Sequence, residues 1–368
     1  MMQVIVIGAG AVGAATAFRL AQAGARVTVL DAGRIGGGTS GTSFAWINSA
    51  NGEVPPAYHA LRTASMALHR ELAAEFGNPD WYHPAGGLQW MRPEQVPALE
   101  DNVRRLQARG YAAEWITRTR LLEMEPDLDP DVVGDVPVAW FPEEAWLDPV
   151  PYAGAMLRAA SALGAEVRIH TRVAGMAMQG SRVTGVTLAD GTTLPADTVV
   201  NCAGRWADAV AEDAGLRIPL APTHGFLVFT PPVALAVAHL LHAPEANLRP
   251  DGAGRLMLVW NDFAAAVTAD TKPDPAMPEV QAIMRSVARL IPALAGVEAE
   301  AVRIGTRPLP PDGLSIVGPV PRMEGYYVAV THSGITLSPL LGKLAAAEIT
   351  TGRPDPALAA FRPARFFN

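Results

Sequence analysis

The run Val4-Ile5-Val6-Ile7-Gly8-Ala9-Gly10-Ala11-Val12-Gly13 decides the fold. Four consecutive aliphatic residues suit a strand buried on both faces, and glycines at 8, 10 and 13 have the spacing of a tight turn into a helix. Gly10 lets the backbone come close to a pyrophosphate. A helix over 11–23, stopped by Gly24, would offer that group its unpaired N–H donors and the positive end of its dipole. A second strand is expected over 26–30, and Asp31 at its end lies about 20 residues beyond the glycines, where an acid accepts hydrogen bonds from the adenosine ribose. The glycines alone would be weak evidence. Strand, turn, helix, strand and acid in this order specify a dinucleotide-binding βαβ unit.

Outward from this unit, Gly36-Gly37-Gly38-Thr39-Ser40-Gly41-Thr42-Ser43 is too flexible for a strand interior and reads as a long loop or helix entry. Helices are expected over 57–76, 93–109 and 118–124, and strands over 81–91, interrupted at Gly86-Gly87, and 136–141. Asp148-Pro149 reads as an N-cap and first turn, leading a helix to about residue 163. Strands follow over 166–172, 182–188 and 193–202, the last two joined at the hairpin turn Asp190-Gly191. Segments 219–229 and 255–259 belong to a different sheet, because no helix of βαβ length separates the neighbouring strands. A helix over 278–294, a strand over 326–330 and a helix over 338–350, with Pro339 at its start, complete the chain. The α/β fold is therefore discontinuous. Segments 1–80, 148–216 and 306–368 form the Rossmann-like dinucleotide domain, and 81–147 and 217–305 form an inserted mixed-sheet α+β substrate domain.

The 368 residues, 49% of them apolar, can bury a large core. A net charge of −7, with Lys272 and Lys343 as the only lysines, argues against nucleic acid as a partner. The single cysteine, Cys202, excludes an internal disulfide and a cysteine-based metal site. No apolar run of about 18 residues occurs, and the apolar start passes directly into the glycine turn, so a cytoplasmic protein without a transmembrane segment is expected.

Over nearly its whole length the chain resembles the D-amino-acid oxidase, glycine oxidase and sarcosine oxidase superfamily of FAD-dependent oxidoreductases. The resemblance rests on the fingerprint with Asp31, on Gly38-Thr39-Ser40, Asp148-Pro149, the segment Ala196 to Gly204, the segment Gly305 to Gly318 and Thr331-His332-Ser333-Gly334. It implies a glutathione-reductase-type FAD domain with dissociable FAD, since neither residue position used for covalent attachment in relatives is matched. By that likeness Gly8, Gly10, Ala11, Val12 and Gly13 hold the pyrophosphate, Asp31 and Ala32 the ribose, and Val173 the adenine. Gly38, Thr39 and Ser40 lie along the pyrophosphate and ring, Ala203, Gly204 and Trp206 pass beneath the cofactor, and Gly334, Ile335, Thr336 and Leu337 approach the pyrimidine end of the flavin. A helix N-terminus there would stabilise the charge gained on reduction.

The same likeness makes Arg307, in Arg307-Pro308, the residue that grips a substrate carboxylate beside the cofactor; the alternative is an internal ion pair. His224 and His332 are candidate proton-handling or donor groups, or else wall and core histidines. Trp46, Asn48, His59 and Asn247 are candidate pocket residues, as is Met257, which stands where some members have lysine in a Leu-Lys-Leu strand. No metal is expected. The implied reaction is hydride transfer from the carbon next to the nitrogen of an amine or amino acid to flavin N5, an imine then hydrolysing, with O2 or an electron carrier as acceptor. A dehydrogenase of a cyclic imino acid or proline derivative, or the flavin subunit of a hetero-oligomeric amine dehydrogenase, is the alternative; the oligomeric state is left open.

Overall fold

In the computed structural model, which describes every residue except 213, 260–266, 269 and 368, the opening run forms strand Gln3–Ile7 near the middle of a six-stranded sheet. The strand order is Ile316–Pro319, Tyr326–Val330, Thr198–Asn201, Gln3–Ile7, Arg26–Leu30, Glu166–Arg168, and only the first pair is antiparallel. Val4, Ile5 and Val6 are all buried, which is why the strand is aliphatic without alternation. Thr198–Asn201 and Arg26–Leu30 flank Gln3–Ile7 in parallel, so three carboxyl ends converge at Gly8, Asp31 and Cys202, the usual place for a ligand in an open α/β sheet.

Helix Ala11–Gln22 follows the turn and packs between Pro149–Ala162 and Gly334–Thr351. Its contact with the last helix needs glycine. A Cβ on Gly342 would lie 2.7 Å from the carbonyl carbon of Ala15. The end of the chain is tied down by Glu348, which accepts from Tyr327 Oη at 2.7 Å, the Asp355 N–H at 2.6 Å and Arg362 Nη1 at 2.8 Å.

A second, eight-stranded sheet runs in the order Ala301–Leu309, Ala221–Phe229, Leu256–Val259, Asn247–Pro250, Leu240–His242, Gly87–Gln89, Val138–Phe141, Glu114–Ile116. Helix Pro278–Leu290 covers one face, burying Val280, Ile283, Met284, Val287 and Leu290 in a cluster with Phe226, Val228 and Leu258. On the opposite face Gly305 lies against the Thr42 carbonyl.

Several elements depart from expectation. The 81–91 strand is two: Tyr82–His83 joins a small sheet with Trp46–Ile47 and Ala145–Leu147, while Gly87–Gln89 joins the large one. The 193–202 strand breaks after Pro195, and the 166–172 strand stops at Arg168, before His170 in the left-handed region. Val173–Gln179, too rich in Gly, Ala and Met to show a strand pattern, pairs with Arg182–Leu188. Ala301–Leu309 remains in the large sheet past the expected boundary at 306. Asp148 does not cap its helix with its side chain; its carboxylate faces His83 Nε2 at 3.1 Å.

The last helix begins at Gly334, one turn earlier than expected, so Pro339 lies inside it. Proline supplies no N–H to the Ile335 carbonyl. That carbonyl is satisfied instead by His69 Nε2 at 2.9 Å and Ser338 Oγ at 3.1 Å. Burial pushes His69 down to about 4, and His242 likewise to about 4. Both rings are neutral in the fold and would protonate near 6.5 when unfolded, so their contribution is intact above about pH 6.5 and is lost as pH falls towards 4. Urea unfolding at pH 7.5 and 4.5 is expected to show a loss of about 2–3 kcal/mol per histidine, and His69→Gln to reduce that dependence. A pH-independent midpoint would contradict the assignment.

Candidate active site

Over the converging strand ends lies a cavity of about 680 Å³. It runs from Val173 at one end, past the Gly8–Gly10 turn, to Gly334 and Ile335 at the other. Gly8 has φ +108, and a Cβ there would stand 2.5 Å from the Cys202 carbonyl oxygen. Gly13 does not line the cavity; it sits under the turn, where a Cβ would be 2.0 Å from the Gly8 oxygen, so its task is to let helix and strand close on each other. Asp31 organises the turn itself. Its Oδ2 accepts the Ala9 N–H and its Oδ1 the Gly33 N–H, each at 2.7 Å, which pins the glycine turn to the second strand. Ser40 Oγ accepts the Ala11 N–H at 3.0 Å, joining the glycine-hydroxyl loop to the helix start.

Ala11, Val12, Ala32, Gly38, Thr39, Ser40, Ala203, Gly204 and Trp206 line this cavity. Leu337 does not, being fully buried on the inner side of the last helix. Thr336 lines the neighbouring cavity, its Oγ1 donating to the Trp46 carbonyl at 3.1 Å. A long trough with a helix N-terminus at the pyrophosphate position, glycine where a backbone must be approached and an acid beyond the second strand fits FAD.

A second cavity, of about 830 Å³, meets the first at Thr39, Ser43, His332 and Ile335. Arg307 enters it from strand Ala301–Leu309. With a period of two, Arg307 and Gly305 share a face with their neighbours Gly225 and Leu227 on Ala221–Phe229, and all four line the cavity. His224 pairs with Thr306 on the other face, and its Nδ1 is 3.0 Å from Thr306 Oγ1. This corrects the expectation for His224, whose ring reaches neither cavity. Arg307 is half-buried; Nη2 makes a long bond of 3.4 Å to the His224 carbonyl, and Nε is shielded without a partner. Among the described residues no carboxylate pairs with it, which removes the ion-pair alternative there.

His332 opens on both cavities. Burial, then the charges of Arg307 and Arg62, push it down to about 4, so the imidazole is neutral and offers one N–H donor and one acceptor. Trp46, Asn48 and Asn247 line the second cavity, but His59 and Met257 do not. His59 packs edge-on against Tyr111 behind the wall, 5.6 Å between ring centres. Met257 lies one pleat deeper than the cavity-lining Val259, in a cluster with Phe44, Leu227 and Phe229.

Among the lining residues that sequence reading missed, His242 and Arg62 stand out. His242 lies against Trp46, the rings tilted by 32° with centres 4.0 Å apart, and its Nδ1 is held by Asn247 at 2.9 Å. Arg62, 8% exposed, projects from helix Pro56–Glu75. A signal existed: Tyr58, Arg62, Ser65 and His69 recur at helical spacing, and all are buried. Behind Trp46, Glu144 accepts from Trp46 Nε1 at 2.7 Å and Tyr111 Oη at 2.9 Å, and burial pushes its carboxyl up to about 8.

A Rossmann-like trough opening at one end into a cavity armed with arginine defines a flavin-dependent oxidoreductase. The chain matches the DAO family of FAD dependent oxidoreductases over residues 3–348 and belongs to that family, with FAD as its cofactor. It is 29% identical to a glycine oxidase of Pseudomonas aeruginosa over 96% of this chain and 97% of the relative. It is 27% identical to hydrogen cyanide synthase subunit HcnC of the same species, over 93% and 90%. The solved L-proline dehydrogenase of P. horikoshii shares the fold, with a TM-score of 0.86, 23% identity and coverage of 100% and 98%. Among the described residues no helix is long and apolar enough to cross a membrane.

Cys202 borders the FAD trough, but burial pushes its thiol up to about 12, so it stays protonated and unreactive. Acid precipitation is therefore expected to leave all the flavin in the supernatant. A coloured pellet would refute non-covalent binding.

Proposed function

We propose that the protein oxidises an amino acid or secondary amine bearing a carboxylate next to the reacting carbon. One observation carries the reading: Arg307, half-buried and without an acid partner among the described residues, faces the cavity that joins the FAD trough. The relatives named glycine oxidase support it. Arg307 holds the carboxylate in bidentate fashion, which fixes the Cα–H towards the junction lined by Thr39, Ser43 and Ile335. FAD, when bound, supplies the two-electron acceptor for the hydride. With His224 on the far face and His332 neutral, the amine enters unprotonated, and no protein carboxylate is required as base. His332 holds its single N–H at the junction as a donor. The imine leaves and hydrolyses in water, and O2 or a carrier takes the electrons. The reaction is proposed to run in the cytoplasm, in keeping with the want of a membrane-spanning helix among the described residues.

The test is anaerobic mixing of the holoenzyme with D-, L-, N-methyl and cyclic amino acids while following flavin absorbance, then admitting air. Bleaching by at least one carboxylate-bearing amine is expected; bleaching by none would defeat the proposal. The likeness to HcnC, named as a subunit, favours a second reading in which a partner chain takes the electrons. Rapid bleaching followed by very slow recovery in air would select it.

A further inference from the structure

We propose that Arg62 is a second anion-binding residue of the substrate cavity, so that the preferred substrate is an amine with two carboxylates, one on Arg307 and the distal one on Arg62. The inference rests on the amine-oxidation reading and adds the substrate class. Arg62 lines the same cavity as Arg307 but comes from helix Pro56–Glu75, which leads away from the small sheet at Trp46–Ile47. Its guanidinium donates once, from Nη2 to Asn48 Oδ1, and Nε is shielded from water with no partner. Among the described residues no carboxylate forms an ion pair with it.

A buried guanidinium left in this state is costly, and proteins ordinarily pair such a charge. Glu144, whose charge favours that of Arg62, forms no ion pair with it: its oxygens turn to Trp46 and Tyr111, and burial pushes its carboxyl up to about 8. The other neighbour is the Tyr58 ring, 5.8 Å from the guanidinium carbon, at the outer edge of a cation–π contact. Arg62 and Arg307 also act on one point, because both charges bear on His332 at the junction with the FAD trough. A ligand with one carboxylate would answer one of these cations; a dicarboxylate answers both.

The experiment measures binding to the FAD-loaded protein, by perturbation of the flavin spectrum and by calorimetry. The unreactive probes acetate, propionate, malonate, succinate and glutarate are compared in the wild type, Arg62→Met and Arg62→Lys. The wild type is expected to bind the best dicarboxylate about tenfold or more tighter than the matching monocarboxylate. Arg62→Met is expected to erase that preference, and Arg62→Lys to retain part of it. Equal binding of mono- and dicarboxylates by the wild type would overturn the proposal without any variant having to fold. A preference that survives intact in Arg62→Met would also overturn it. If dicarboxylates bind as expected while no amine, including aspartate, glutamate and iminodiacetate, bleaches the flavin, the amine-oxidation reading fails and the paired anion site stands.

Discussion

Arg307→Ala is expected to lower kcat/KM for carboxylate-bearing amines by roughly 30- to 4,000-fold, the equivalent of about 2–5 kcal/mol for a desolvated ion pair. The lower part of the range applies because the guanidinium is only half-buried and partly screened by water; among the described residues its hydrogen bond is the 3.4 Å one to the His224 carbonyl, so little holds it elsewhere. The loss should fall on kcat as well as KM, since a carboxylate held at the wrong angle leaves the Cα–H misdirected even at saturation. Arg307→Lys should recover only part of the loss, because an ammonium cannot reproduce the two parallel bonds of the guanidinium. An uncharged amine lacking the carboxylate should lose little. Steady-state kinetics on matched amines with and without the carboxylate checks this, and an equal, small loss for both would remove Arg307 from substrate binding.

Gly8→Ala is expected to strip FAD from the protein and to destabilise it by roughly 2–6 kcal/mol. About 1–3 of this comes from forcing a side chain into the positive-φ backbone, and about 1–3 from overpacking against neighbours that cannot retreat. The obstruction is main chain: the Cys202 oxygen would lie 2.5 Å from the new Cβ, and it belongs to the turn that ends strand Thr198–Asn201. The Gly8 N–H also donates to the Leu30 carbonyl at 2.8 Å, so relief by shifting residue 8 would loosen Asp31 as well. The flavin-to-protein ratio after purification, with thermal melting in the presence and absence of added FAD, measures both effects. Full flavin content and an unchanged melting temperature would show that the turn tolerates a side chain.

The cofactor half of the molecule was legible because it depends on local rules. A buried strand, glycines at fixed spacing, a helix start and an acid all leave marks within about 30 residues of sequence. The substrate half was less so, because its wall is assembled from strands whose meaning depends on pairing. Arg307 and His224 both stand on the large sheet, and only the register that sets Thr223 opposite Arg307 and Thr306 opposite His224 sends one into the cavity and the other away. Met257 and Val259 share a face of one strand, and only Val259, one pleat further along, reaches the cavity. Arg62 escaped notice because an arginine in a helix is ordinarily a solvated residue, and its burial is a property of the packed molecule. The start of the last helix was misplaced because Pro339 reads as a beginning. It is tolerated inside the helix because the Ile335 carbonyl finds donors in Ser338 and in His69, some 270 residues earlier in the chain.

The Thr39 hydroxyl donates to the Thr306 carbonyl at 2.7 Å, and Gly305 has no room for a side chain against the Thr42 carbonyl oxygen, 2.4 Å from where its Cβ would stand. Arg307, the proposed carboxylate anchor, is thus next in sequence to a stitch between the large sheet and the Thr39–Thr42 turn that borders the FAD trough. Arg307 therefore shares a datum with the cofactor, although it is built on separate foundations. The outer wall of the substrate cavity can be redesigned, strand by strand, for a differently shaped amine without disturbing the alignment on which electron transfer depends.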